Sequence, residues 1–169
     1  GRTFPTDIDN PICIAGGVGL APFLLLARSE FAAGRKMRLL FGGRNRDALS
    51  GIEDFENISQ VFPSTDDGSH GFHGMVTGLL EELLANGTVK PGETVFCCGP
   101  DPMMLAVAAL CEQRGLRCFL SLETYMACGY GVCNGCTVQV KGERFKDWPY
   151  SKTCIEGPVY EACELVHGD

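Results

Sequence analysis

From Asn10 to about Ser121, short β-rich runs alternate with longer stretches in helical rhythm, a grammar that predicts βαβ units around a parallel sheet. Apolar runs place strands at Ile12–Ala15, Met37–Phe41, Ser59–Phe62, Thr94–Cys98 and Arg117–Leu120. Helices are expected between them over Pro22–Ala33, Thr77–Ala85 and Pro102–Arg114, each long enough for a right-handed crossover. Asp101 reads as the N-cap of the last, with Pro102 in its first turn. The expected fold class is α/β: an open, parallel five-stranded nucleotide-binding sheet with helices on both faces. After Ser121 the helical rhythm stops, Gly and Cys become frequent, and the alternating segment Cys136 to Val140 reads as a strand. The expected division is a short linker at 1–9, a sheet domain at 10–120 and a small carboxy-terminal domain at 121–169.

Composition narrows the class. With 45% hydrophobic residues in 169, the chain can bury one substantial core and a small appendage. The apolar stretch Ile12 to Ala27 is interrupted by Gly16, Gly17, Gly19 and Pro22, so no membrane-spanning segment and no membrane partner are expected. The first residues, Gly1 to Pro5, include neither an initiator Met nor a charged-then-apolar leader, which predicts no secretory signal and a natural start that lies further upstream. A net charge of −7 repels a phosphate backbone and argues against nucleic acid as a partner. Ten cysteines are too many for chance. Their clustering near one end points to metal ligation in a reducing, cytoplasmic setting rather than to disulfides.

Cys128, Cys133 and Cys136 have the C-x4-C-x2-C spacing of plant-type 2Fe-2S ferredoxins, with a fourth cysteine required from a separate loop. Cys154 is preferred for that place because it precedes the Gly157-Pro158 turn, and Cys163 is the rival. Four thiolates around two ferric ions and two sulfides leave a net negative charge that inward-pointing amides must offset. Gly129, Gly131 and Gly135 allow the backbone to wrap that closely. The competing reading is a zinc site or a disulfide pair, but zinc modules usually pair two Cys-x-x-Cys elements and Cys154 has no such neighbour. Cys13, Cys97, Cys111 and Cys118 fall in predicted strands and a helix and read as small core residues.

The run Gly16-Gly17-Val18-Gly19-Leu20-Ala21-Pro22 follows the first strand and opens a helix, where amides can meet a pyrophosphate. It departs from G-x-G-x-x-G at Pro22, and no acidic residue follows the second strand, so a ligand-free turn is the alternative. Cys98-Gly99-Pro100 ends another strand, and ligands of open α/β sheets gather at such ends.

With Thr65-Asp66-Asp67-Gly68-Ser69 and Cys97-Cys98-Gly99-Pro100-Asp101-Pro102-Met103, these motifs resemble the nucleotide domain of the ferredoxin-NADP reductase superfamily. Ser121-Leu122-Glu123, Met126-Ala127-Cys128-Gly129-Tyr130-Gly131, Cys154 and Gly157-Pro158-Val159-Tyr160 narrow the resemblance to the iron–sulfur electron-transfer subunits of class 1B dihydroorotate dehydrogenases. The resemblance implies that Gly17, Gly19 and Pro22 line a pyrophosphate, Asp67 and Gly68 lie near the dinucleotide, and Cys98 and Gly99 stand beside the nicotinamide. It implies a 2Fe-2S cluster on Cys128, Cys133, Cys136 and Cys154, NAD(H) as nucleotide, and FAD only with an amino-terminal flavin-binding barrel that has no counterpart here. Residues 1–9 would then lead out of that barrel.

By the same resemblance the chain passes electrons between nicotinamide and a partner, the flavin-containing catalytic dihydroorotate dehydrogenase subunit of pyrimidine biosynthesis, in a hetero-oligomer. A related reductase subunit serving ferredoxin, a hydrogenase or another acceptor is the near alternative, and a zinc-stabilised interaction domain the distant one. Hydride carries two electrons and the cluster accepts one, so a flavin must split the pair and no catalytic acid or base is named. His70, His73 and His167 read as loop or terminal residues, Asp66 and Asp67 also fit a solvated turn, and Arg44 and Arg46 fit either a 2′-phosphate contact or a solvated loop.

Overall fold

In the computed structural model, which describes residues 1–166, the five expected strands lie side by side as the centre of a seven-stranded sheet. They are β1 (Ile12–Gly16), β2 (Met37–Gly43), β3 (Ser59–Thr65), β5 (Thr94–Cys98) and β6 (Arg117–Ser121). The order is β4-β3-β2-β1-β5-β6-β9, in which β4 (Phe72–His73) and β9 (Val159–Glu161) form the edges. The expectation of five parallel strands is thus corrected to seven. β4 extends the parallel set, whereas β9 comes from the carboxy-terminal block and pairs antiparallel with β6, setting Leu120 opposite Tyr160. Strands of two and three residues carry no periodicity of their own, and tertiary pairing alone defines them.

Alternation along the strands sorts the core into two layers. Ile12 and Ile14 of β1 face the side covered by α2 (Val76–Ala85) and α3 (Asp101–Arg114), while Cys13 and Ala15 face α1 (Ala21–Ala32). Both layers are closed, because crossover helices on both faces leave a parallel sheet no wet side. Phe23 of α1 is wholly buried in the layer that also holds Cys13, Ala15 and Phe41, a contribution of about 2–3 kcal/mol from its area alone. Cys13, Cys97, Cys111 and Cys118 are all buried core residues, as read from the sequence.

Asp101 is not the N-cap of α3. Pro100 occupies that position without a side-chain cap bond, and Asp101 is the first helical residue, where its charge suits the helix dipole. Residues 1–9 are more than a linker: the Phe4 ring stacks on Phe96 at 4.6 Å and on Phe23 at 5.4 Å, and Arg2 binds Glu164 at 2.8 Å. The carboxy-terminal block adds a hairpin of β7 (Thr137–Gln139) and β8 (Tyr150–Lys152). Among the described residues no helix is long and apolar enough to cross a membrane, and His167 lies outside them.

At the amino end of the sheet, the buried Arg38 guanidinium donates to Glu93 Oε1 at 2.8 Å and to the carbonyls of Thr88 and Asn10. Burial raises the Glu93 pKa, but the Arg38 hydrogen bond and the Lys90 amide outweigh it and the net shift is downward. A depressed folded pKa adds stability above the ordinary glutamate value of ~4.3, and that stability is lost as pH falls through the folded value. Glu93→Gln is therefore expected to cost about 2 kcal/mol at pH 7, less than a fully buried pair because Glu93 is partly exposed. Urea titrations should show that cost shrinking below about pH 4; an undiminished cost there would contradict this assignment.

Candidate functional site

The hairpin explains how two distant cysteines meet. β7 begins one residue after Cys136, β8 ends two residues before Cys154, and the register pairs Thr137 with Lys152. Thr153 tightens the junction, its amide and hydroxyl both donating to the Cys136 carbonyl at 3.1 and 3.2 Å. The Cys136 and Cys154 thiols are consequently close enough to act on each other's charge. Cys128 and Cys133 form a second pair, with the Cys133 amide donating to Cys128 Sγ at 3.4 Å. The charge of Cys128 also acts on Cys154.

The electrostatics suit thiolates. Amides of Cys133 and Tyr130, then the Cys133 thiol and the Val132 amide, bring Cys128 down to about 6. Cys136 is lowered by the amide and thiol of Cys154, whereas Cys154 is raised chiefly by the Cys136 thiol. Among the described residues no three His, Cys, Asp or Glu side chains converge as a single ion demands. Two thiol pairs match the donor set of a binuclear cluster, which takes two thiolates at each iron. Cys163 stands elsewhere, exposed beside Arg117 and Cys118 at the β6 edge.

At the carboxyl ends of the strands a cleft of about 470 Å³ opens, within the usual range for a small-molecule site. Its crest is low because Gly16 and Gly42 are register partners on β1 and β2. A Cβ on Gly16 would meet Met103 Sδ at 2.6 Å, and one on Gly42 would meet Val76 Cβ at 3.0 Å. Arg44 and Asp66 stand on the polar side of the same cleft, and among the described residues neither side chain has an ion-pair partner within 4.0 Å. The starts of α1 and α3, with Pro22 and Pro102 in their first turns, lie at this end of the sheet.

The residues named from the sequence divide. Gly17 lines the cleft in a left-handed turn, at φ 54°. Gly19 is buried under β5, where a Cβ would lie 2.2 Å from the Cys98 carbonyl oxygen, so it permits close packing of the turn. Gly99 does likewise, approaching the Gly16 backbone and Met103. Pro22 is exposed in the first turn of α1, outside the cleft lining. Asp67 turns away to accept from the Ser69 amide at 2.9 Å, and Gly68 packs on the His73 ring. The carboxylate in the cleft is Asp66, one residue earlier. Cys98 is half-buried and lies one register step past the Cys97–Leu120 pair, beside Ser121, with Glu123 near enough to act on its charge; burial raises its pKa.

Sequence reasoning passed over Gly42, Gly43, Met75, Val76 and Thr77 of the cleft. One signal was available: Gly42-Gly43 ends β2 as Gly16-Gly17 ends β1, two glycine pairs at neighbouring strand ends. Around the cluster loop Tyr125, Met126, Tyr130, Val132, Trp148, Tyr150 and Ile155 are exposed, an apolar concentration of the kind that marks an interaction surface.

Comparison with known proteins agrees with this geometry. Residues 13–109 match the family described as the oxidoreductase NAD-binding domain. Residues 123–166 match the iron-sulfur cluster binding domain of dihydroorotate dehydrogenase B. The chain is 35% identical over 155 residues to the electron transfer subunit of dihydroorotate dehydrogenase B (NAD(+)) from Caldanaerobacter subterraneus subsp. tengcongensis, covering 92% of this chain and 58% of that protein. It is 37% identical over 168 residues to an electron transfer subunit homolog from Aquifex aeolicus, covering 98% and 61%. The chain thus spans about three fifths of the length of these curated relatives. The solved structure of an NADH-dependent reduced ferredoxin-NADP oxidoreductase, described for flavin-based electron bifurcation, superposes with a TM-score of 0.78 at 26% identity, over 96% of this chain and 56% of that one. By these matches the chain belongs to the oxidoreductase NAD-binding domain family and carries an iron–sulfur cluster binding domain at its carboxyl side.

Proposed function

We propose that this chain is the electron-transfer part of an NAD-linked oxidoreductase, moving electrons between a nicotinamide and a partner flavoenzyme through a 2Fe-2S cluster on Cys128, Cys133, Cys136 and Cys154. The observation that carries the reading is the coupling of the two sites in one short stretch. Cys98 ends β5 two residues before Pro100 of the crevice lining, and it lies one register step past the Cys97–Leu120 pair, beside Ser121, with Glu123 acting on its charge. Glu123 and Cys128 are separated by five residue steps, which cannot span more than about 18 Å.

In this reading Gly17 and the helix starts receive the pyrophosphate, and Gly16 and Gly42 let the dinucleotide lie close to the sheet. Asp66 accepts from ribose hydroxyls and repels a 2′-phosphate, which favours NAD over NADP despite Arg44. Cys98 and Ser121 shape the nicotinamide end. Cys128 with Cys133 holds one iron and Cys136 with Cys154 the other, and the amides around Cys128 offset the negative charge. The cluster supplies one-electron storage, so a flavin must divide the hydride pair. We place that flavin with the part of the relatives' length that this chain does not span. The chain's residues have no proton to move at a named atom, consistent with a relay.

The partner best supported is the flavin-containing catalytic dihydroorotate dehydrogenase subunit of pyrimidine biosynthesis, because the cluster-domain match and the curated relatives carry that name. The apolar surface around Tyr130 and Val132 is the proposed contact, and the cytoplasm the proposed compartment. The ferredoxin-linked reductase reading has its own support in the 0.78 superposition.

Protein purified without oxygen is expected to contain two irons and two acid-labile sulfides per chain. Cys→Ser changes at Cys128, Cys133, Cys136 or Cys154 should each lose or alter the visible spectrum, and Cys163→Ser should leave it intact. Stoichiometric zinc without sulfide would remove the cluster, and bleaching by Cys163→Ser alone would move the fourth ligand.

The partner is tested by mixing the intact protein with the candidate dihydroorotate subunit. A stable complex that couples dihydroorotate oxidation to NAD reduction, with NADP a poorer substrate, is expected. Failure to bind, together with rapid nicotinamide-dependent reduction of ferredoxin, would transfer the assignment to the related reductases.

A further inference from the structure

Lys152 ends β8 and sits two residues before Cys154, half-buried, with its side chain reaching back over the cluster loop. Its ammonium group donates to the Gly131 carbonyl at 2.7 Å. No carboxylate among the described residues pairs with that ammonium group within 4.0 Å. Glu156, the nearest acidic candidate in sequence, instead accepts from Ser151 Oγ at 2.7 Å and from the Lys152 amide at 3.1 Å.

The carbonyl that Lys152 holds belongs to the Gly131–Val132 peptide unit, which lies between Cys128 and Cys133 in the loop whose Cys133 amide donates to Cys128 Sγ at 3.4 Å. A cation on the oxygen side of a peptide polarises it and strengthens the hydrogen bond made by its N–H. Gly131 has φ 89°, and a Cβ there would fall 1.9 Å from Ile155 Cδ1, so Ile155 packs on this residue while Lys152 holds its carbonyl. The peptide is fixed in orientation as well as polarised.

We propose that Lys152 is a positioning residue that sets the reduction potential of the cluster: its charge and its grip on the Gly131–Val132 peptide favour the reduced state. This rests on the cluster reading above and is independent of which partner accepts the electron. Reduction adds one electron, supplied by dithionite in a titration or by reduced flavin in turnover, and no proton. The negative charge of the site grows by one unit, so a nearby fixed cation stabilises the product more than the reactant.

The test is a mediated dithionite titration of the intact, cluster-loaded protein, read by visible absorbance, with iron and sulfide measured in every sample. Lys152→Met removes charge and donor, Lys152→Gln keeps a donor without charge, and Lys152→Arg keeps both. The Met and Gln variants are expected to need a potential lower by about 59 mV, a tenfold change in the reduced-to-oxidised ratio for one electron. The Arg variant should stay close to the parent. Unchanged potentials in fully loaded Met and Gln variants would overturn the proposal. So would loss of iron from both neutral variants but not from Arg, which would assign Lys152 a purely structural role. Should Lys152→Met alone fail to hold iron, the Gln and Arg pair decides by the same criterion. A parent protein without iron and sulfide would instead defeat the cluster reading itself.

Discussion

The pairing of β9 with β6 is the constraint on which the rest of the arrangement depends. Three residue pairs, Phe119 with Glu161, Leu120 with Tyr160 and Ser121 with Val159, join the cysteine-rich block to the nucleotide sheet. The join is not superficial. Tyr160 is fully buried in the layer shared with α2 and α3, and its hydroxyl meets Ser151 Oγ of β8 at 2.7 Å. Arg117 closes the edge with two hydrogen bonds to Glu161. A small block with little core of its own thereby borrows the core of its neighbour, the usual remedy for a domain too small to stand alone.

That join fixes the chemistry in space. Ser121 ends β6 beside Cys98, one register step past the Leu120–Cys97 pair, and leads into the cluster loop, so the crevice and the thiols are placed by one strand end. Both sites are built mainly from backbone. In the crevice, Gly16 and Gly42 leave out side chains where a Cβ would strike Met103 or Val76, and beneath it Gly19 and Gly99 let the turns pack closely. In the cluster loop, amides rather than lysines or arginines face Cys128 directly. Amides have a fixed direction and lose no side-chain entropy when they bind an anion, which suits a site whose charge changes while its geometry must not.

What the sequence made legible follows from the same physics. The strands at the centre were readable because parallel strands buried on both faces appear as apolar runs, as in β1, β2, β5 and β6, whereas β3, Ser-Gln-Val-Phe-Pro-Ser-Thr, carries only a short one. The cysteine pattern was readable because ligation demands one residue type at fixed spacing. β9 was not, since three residues gain their conformation from β6 and not from their own pattern. Which of the adjacent acids Asp66 and Asp67 lines the cleft was not legible, because the turn decides it: Ser69 captures Asp67 and Asp66 lines the cleft. The Lys152 contact could not be read at all. Its partner is a backbone carbonyl 21 residues away.

The central claim is that electrons from a nicotinamide reach these four cysteines. It is tested most directly by adding NADH, without oxygen, to the intact flavin-containing protein and following the cluster by electron paramagnetic resonance. The account predicts a signal of one reduced 2Fe-2S centre per chain, formed after flavin reduction and absent from Cys128→Ser protein. Flavin that is reduced by NADH while the cluster of the parent protein stays oxidised and silent, even at excess NADH, would contradict it.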